Sequence, residues 1–444
     1  MRPNRIKDKE DIDMKAMRLL PVASISSASA YQGSKAYAWT VFALTFGLML
    51  SDYLSRQVMG AVFPFLKVTW GVSDSQLGAL VSIVALVVGL MTIPLSLIAD
   101  RWGRVKSITL MAFVWCLATI ACGLANNYIE MLIARAMVGF GEAAYAAAGA
   151  ALLAHTFPIG KRSAVLGAFQ SAGVFGAVLG VVLGGAVATQ FGWRYAFFAV
   201  GLPGLILAVL YPFFVRDYQV PACRDGVNSG DSVTPSLNFS QIVKQVFAAR
   251  SGNFTVVAFG LQMGIPAILI AWVPTFFNRF YGFDPKKAAL MAAVVVLALG
   301  IGMLFGGGLA DRLSRGRPRY RALVPAAYAL VSGLMLAAAF ALPPGPLGLA
   351  LLIAGALFAA AHGGCAVAML IDVTSPSVHA TVTATAVLGA SLLGTAPGPY
   401  LVGLLSDATD MRTALIVAPL ISVVAAAMFF RASRYYEIDI AKKQ

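Results

Sequence analysis

Long stretches without a single Asp, Glu, Lys or Arg recur along this chain, and nothing constrains its fold more. They cover 77–99, 107–129, 143–160, 163–193, 195–215, 251–278, 288–310, 322–371, 373–406 and 413–430. A helix rises about 1.5 Å per residue, so about 20 apolar residues cross the ~30 Å hydrocarbon layer of a bilayer. The stretch 322–371 is too long for one crossing, and Leu342-Pro-Pro-Gly-Pro-Leu-Gly348 divides it, because consecutive prolines break a helix and favour a turn. A further crossing over 37–65 is interrupted by Asp52 and Arg56, and the run at 143–160 extends back through Arg135 and Glu142. The reading is twelve spans: 37–65, 75–99, 105–125, 129–157, 163–190, 194–215, 252–280, 286–310, 320–341, 347–371, 378–405 and 411–431. We number them 1 to 12.

Composition agrees. Hydrophobic residues make up 59% of the 444, about 69% with the 43 glycines, against about 45–50% in soluble domains. Charged residues are 12%, about half the soluble norm. A soluble enzyme, a nucleic-acid binder and a disordered scaffold are excluded on this ground. The net charge of +14 reads as topology, since Lys and Arg collect on the cytoplasmic side of membrane proteins. Alternate loops counted with the N-terminus carry 25 Lys/Arg and the opposite loops 6, which places both termini in the cytoplasm and the chain in the inner cell membrane. The glycosylation patterns at Asn238 and Asn253 fall on that cytoplasmic side and read as chance. Cys116, Cys122, Cys223 and Cys365 have no metal or disulfide spacing and read as small buried side chains.

The chain divides into a polar N-terminal tail (1–35), a six-span block (36–215), a central loop (216–250), a second six-span block (251–431) and a C-terminal tail (432–444). The first of these lacks the apolar core of a signal peptide. This is an all-α membrane protein of twelve transmembrane helices, expected as two pseudo-symmetric six-helix bundles.

An internal repeat supports the symmetry. Span 2 ends in Ser96-Leu-Ile-Ala-Asp100-Arg101-Trp-Gly103-Arg104-Val-Lys106, and span 8 in Gly307-Gly-Leu-Ala-Asp311-Arg312-Leu-Ser-Arg315-Gly-Arg317. A carboxylate at a helix end accepts bonds from a neighbouring helix N-terminus or an arginine, so Asp100, Arg101, Gly103, Arg104, Asp311 and Arg312 are candidates for a conformational latch. The pattern resembles the loop signature of the major facilitator superfamily, with Ser96 where the family usually has Gly. That resemblance covers about 36–431 and implies two six-helix bundles that handle substrate between them near the bilayer midplane. Asp52-Tyr-Leu-Ser55-Arg56-Gln57, Gly139-Phe-Gly-Glu142-Ala-Ala-Tyr145, Trp272-Val-Pro-Thr-Phe-Phe-Asn-Arg279-Phe-Tyr-Gly282 and the run from Gly398-Pro399 through Gly403 to Ser406-Asp407 resemble segments of the Spinster-type transporters; the second is shared with organic-anion symporters. The family's acid in span 1 falls on Ser55 here, and Asp52 stands where the family has Asn.

A charge at a membrane helix centre costs about 2.5–3.5 kcal/mol, so such residues face a cavity, pair, or change protonation. Asp52 and Arg56 are i,i+4 neighbours and bridge on one helical face. Arg135 and Glu142 lie about 10.5 Å apart along their helix, so each needs a closer partner from another helix. Glu142 and Asp52 are the proton-coupling candidates. Candidates to line a substrate cavity are Arg56, Arg135, Tyr53, Tyr145, Gln170, Gln262, Asn278 and His362, although each polar group taken singly is more often a helix-to-helix hydrogen bond. Gly176, Gly180 and Gly184 form a small-residue stripe on span 5 that admits a close neighbour, and Gly394, Pro397, Gly398 and Pro399 are expected to interrupt span 11.

The expectation is a secondary transporter working by proton-coupled alternating access on an organic anion, a carboxylate or sugar acid, as a monomer whose partners are the bilayer, the solute and protons. The alternatives are a Spinster-like exporter of lysolipids, sphingoids or other amphiphiles, and a non-transporting sensor of the same fold. A membrane enzyme is disfavoured by the absence of HExxH, GxSxG and any His/Cys cluster, and direct ATP drive by the absence of GxxxxGK[ST]. No cofactor, metal or nucleic acid is expected.

Overall fold

A computed structural model describes residues 35–216, 248–314, 319–374 and 379–441, without the side chains of residues 100, 101, 159, 163, 379 and 380. The described residues are helical, joined by short turns. Span 1 is Lys35–Trp70, span 2 Asp74–Trp102, span 3 Arg104–Leu124, span 5 Ile159–Phe191 and span 6 Trp193–Phe214. Span 7 is Arg250–Phe280, span 8 Pro285–Leu313 and span 9 Tyr320–Ala341. Spans 4 and 10 are each broken, into Tyr128–Glu142 and Tyr145–Thr156 and into Pro346–Ala360 and Gly363–Asp372. Span 11 runs from His379–Ala390 through a π-turn, Ser391–Thr395, into Pro397–Ala408. Span 12 is Met411–Val417, a 3₁₀ turn at Ala418–Leu420, and Ile421–Ala441. Eleven of these are long and apolar enough to cross a membrane, and span 1, at 36 residues, is long enough but carries Asp52 and Arg56 in its middle.

Local chemistry sets the ends. Ser73 and Gln76 form a reciprocal capping box at the start of span 2, and the side chains of Asn127, Asp284 and Asp410 cap spans 4, 8 and 12. One residue, Gly103 at φ 111°, is all that separates span 2 from span 3, a backbone state that side chains with a Cβ rarely adopt.

Within the first block span 1 packs on spans 5 and 6, span 3 on spans 4 and 6, and span 2 on span 4; within the second, span 7 packs on span 12, span 9 on spans 10 and 12, and span 8 on span 10. The glycine stripe does what its spacing predicts. A Cβ on Gly176 would meet the Leu50 carbonyl at 2.8 Å and one on Gly180 the Leu54 carbonyl at 2.9 Å, so span 1 lies directly on span 5. Span 11 is interrupted where its glycine and prolines stand, and there Gly394 passes the backbone of span 7 at Gly260 and Gly264.

The blocks meet along spans 1 and 7, 2 and 11, and 5 and 8. The last two pairings are exchanged by the pseudo-twofold relation. The two breaks obey it as well: the first halves of spans 4 and 10 are both 15 residues long. The final helix continues to Ala441, beyond the 431 read from charge. Asp439 is buried there and accepts the Ser251 N–H at 2.8 Å and its hydroxyl at 2.7 Å, capping span 7. The central loop lies almost wholly outside the described residues. Large apolar side chains such as Phe213 and Phe305 stand on the outer surface, where a lipid solvent removes the cost of exposing them.

Candidate functional site

Span 1 brings Asp52 and Arg56 onto one face, and Arg56 Nε donates to Asp52 Oδ1 at 3.3 Å. The same nitrogen lies 2.8 Å from Glu142 Oε2, an ion pair without hydrogen-bond alignment, so both Glu142 oxygens are left without a hydrogen-bond partner. The break in span 4 places Glu142: it ends the first half, and the next carbonyl, at Ala143, accepts the Thr92 hydroxyl of span 2 at 2.9 Å. The two acids are 3% and 0% exposed, and the Arg56 side chain 28%. Arg56 is therefore the member of the trio that reaches open space. Its guanidinium sits 5.6 Å from the centre of the Tyr53 ring, which packs on Gly173.

Arg135, fully buried two turns before Glu142, donates to the Leu80 carbonyl of span 2 at 3.0 Å and the Ser55 carbonyl of span 1 at 3.3 Å. Arg135 and Glu142 thus each have the closer partner on another helix that their spacing called for. Ser55 binds the Ser51 carbonyl of its own helix and brings no charge. Four charges, two of each sign, gather in the first block. In the second block the polar groups singled out are an amide and an imidazole. Gln262 donates to Ser332 Oγ at 3.1 Å, and His362 Nδ1 lies 2.9 Å from the Ala359 carbonyl, both fully buried between helices.

The other cavity candidates separate by location. Gln170 is exposed on span 5. Tyr145 is buried inside the first block, with its hydroxyl on the Thr45 carbonyl at 2.6 Å. Asn278 binds the Phe283 carbonyl at 2.9 Å, at the end of the molecule away from the termini. Among the latch candidates, Asp311 pairs with Arg321 at 2.9 Å. Arg321 also holds Asp372 at 2.7 Å, and Asp372 accepts the Tyr436 hydroxyl at 2.6 Å. Arg312 is exposed and Arg104 partly buried, Gly103 supplies the turn, and the side chains of Asp100 and Arg101 lie outside the described residues.

The end away from the termini is sealed. A Cβ on Gly60 would lie 2.8 Å from the Ile270 carbonyl, and the Phe63 and Trp272 rings are 5.2 Å apart. Trp272 Nε1 donates to the Pro399 carbonyl at 3.1 Å and the Tyr400 N–H to Ser82 Oγ at 3.1 Å. Above them Asp74 accepts Lys67 at 2.6 Å, both terminal nitrogens of Arg279 at 2.8 Å and Ser406 at 2.7 Å, while Asp407 accepts the N–H groups of Asp74 and Ser75 at 2.8 Å. Sequence reasoning missed this cluster, because an acid in the first turn of a helix reads as a dipole partner and Arg279, its cation from the other block, lies 205 positions away. Toward the termini the blocks part: Gly167, Gly307, Gly308 and Gly363 face open space. Arg56 lies one turn from Gly60, on the termini side of this seal, with its side chain 28% exposed.

Residues 45–384 match the family model of the Major Facilitator Superfamily. The probable L-galactonate transporter of Escherichia coli (strain K12) is 26% identical over 404 residues, 87% of each chain. Protein spinster homolog 1 of Xenopus laevis is 24% identical over 437 residues, 90% of this chain and 81% of that one. The crystal structure of a bacterial homolog to the human lysosomal transporter Spinster, in an inward-facing and unoccupied conformation, has the same fold, with a TM-score of 0.82 at 23% identity over 92% of this chain and 99% of that one. With twelve spans in two related blocks and a model match over most of its length, the chain belongs to the major facilitator superfamily and is a multi-pass secondary transporter rather than an enzyme.

Proposed function

We propose that the protein is a proton-coupled transporter of an organic anion, a carboxylate or sugar acid, working by alternating access in the inner cell membrane as a monomer with both termini cytoplasmic. The observation that carries this is the partly exposed Arg56 held between the buried Asp52 and Glu142. With both acids ionised, the charges of Asp52, Arg56, Arg135 and Glu142 cancel. A proton alone leaves the site at +1, and an anion alone leaves it at −1. Two unit charges 5 Å apart at an effective dielectric of 20 interact by about 3 kcal/mol. Taking up both together is therefore favoured over either alone by about two orders of magnitude. Arg56 supplies the fork for a carboxylate, Glu142 the proton, and Asp52 keeps Arg56 oriented. Residues 36–215 and 251–431 are the two rocking bodies. The Asp311–Arg321–Asp372 chain holds the second body together at the open end, where Asp311 serves the latch role.

The named substrate of the L-galactonate relative, a sugar acid, supports the anionic class. The test is uptake by proteoliposomes under an imposed pH gradient. Wild type is expected to accumulate galactonate, and Glu142→Gln to exchange it across the membrane without accumulating it. Proton-driven accumulation that survives in the variant removes Glu142 from the mechanism. Uptake of lysolipid and not of any organic acid would replace this reading with the amphiphile exporter suggested by the Spinster relative.

A further inference from the structure

The cluster at the sealed end is built from both blocks, and its bonds divide unequally between them. Asp74 and Lys67 belong to spans 2 and 1, in the first block; Arg279 and Ser406 belong to spans 7 and 11, in the second. Parting the blocks at this end breaks Arg279–Asp74 and Ser406–Asp74 and leaves Lys67–Asp74 intact. Asp74 keeps a cation. Arg279 loses both of its carboxylate bonds at once and keeps the Met411 sulfur, 3.7 Å away.

What Arg279 loses is a planar, two-pronged carboxylate contact, Nη1 to Oδ2 and Nη2 to Oδ1, each 2.8 Å. A guanidinium fork is selective for that shape and holds a carboxylate with two parallel bonds, which a lysine ammonium does not reproduce. We propose that Arg279 is the outer docking residue for the carboxylate of the transported anion, and that Asp74 occupies in the sealed form the place which that carboxylate takes in the form open at this end. One side chain then both closes the entrance and recognises what enters. This rests on the organic-anion reading above. It adds a second anion contact, in the other block and at the other end from Arg56.

Two substitutions separate docking from mere closure, because the two roles move one measured quantity in opposite directions. Arg279→Lys weakens the lock and removes the fork; Asp74→Asn weakens the lock and leaves the fork. If Arg279 only holds the gate, both variants populate the open form and both lower the KM for galactonate applied from the side away from the termini. If Arg279 docks the carboxylate, Asp74→Asn lowers that KM, whereas Arg279→Lys raises it by about ten- to a hundredfold, the effect of losing one charge-assisted hydrogen bond. The KM from the termini side rises less. Full-length protein in right-side-out and inside-out vesicles gives both constants, and the distance between spin labels at Val68→Cys and Lys286→Cys, both exposed at this end, reports that each variant is folded and opens. A lowered or unchanged outer KM in Arg279→Lys overturns the docking role and leaves the anion reading standing. Absence of galactonate uptake and of uptake of every other organic acid by wild type overturns both.

Discussion

Spans 5 and 8 make a contact that is half finished. Gly185 meets Ala289, and eleven residues on along both antiparallel helices Val174 meets Gly300. Seven further along each, about 10.5 Å, the same register sets Gly167 opposite Gly307, where a Cβ on either has nothing within 4 Å. Closing the terminal end completes this seam, with two glycines as its last pair. In the present form a Cβ at 307 starts in open space, and Gly307→Leu gains about 0.5–1 kcal/mol of helix propensity in both forms. In the form closed at the terminal end it overfills the seam, at about 1–3 kcal/mol. That difference shifts the ratio of the two forms by about 5- to 150-fold toward the one described here. Turnover is expected to fall in proportion while thermal stability in detergent rises. A cysteine pair at 167 and 307 is expected to cross-link in the Asp74→Asn background more readily than in wild type. Wild-type turnover in Gly307→Leu together with no cross-link at that pair would refute the register argument.

Other outcomes follow from the same packing. Gly394→Ala drives a methyl into the Gly260 carbonyl and is expected to lower stability by about 1–3 kcal/mol, read as a fall in melting temperature. Thr92→Val leaves the Ala143 carbonyl without its bond, and slowed proton-driven uptake with unchanged expression checks whether that bond positions Glu142. Truncation after Arg431 removes buried Tyr436 and Asp439 with the cap of span 7, and loss of folded, monodisperse protein is the expected result. Anion uptake is expected to rise as the pH on the entry side falls, since Glu142 must be protonated for the site to hold an anion and remain neutral; uptake independent of pH would contradict the coupling.

The twelve crossings were legible because lipid demands an apolar run of fixed length, and each predicted span overlaps its helix. The glycine stripe of span 5 was legible for a similar reason: a period of four on one face admits a close neighbour. Asp52 and Arg56 were predictable as a pair, being four residues apart on one helix. That Glu142 shares their guanidinium was not, because spacing along span 4 fixes only the face of one helix and says nothing of which helix lies opposite. Gln262 and His362 show the same gap. They are polar residues in apolar runs, and the structure turns both into the interior of the second block. The sealed end was illegible because its partners, Asp74 and Arg279, belong to different blocks.

The confinement of all four central charges to one block has an electrical consequence. Membrane voltage does work only on net charge displaced through it, about 2.3 kcal/mol per elementary charge per 100 mV. A balanced quartet that travels as a body contributes nothing to that work, whether it moves empty or carries a proton and a monovalent anion together. With the proposed coupling of one proton to one monovalent anion, the cycle is blind to potential and runs on concentration differences alone. Clamping proteoliposomes at either polarity with a potassium diffusion potential should leave the rate unaltered.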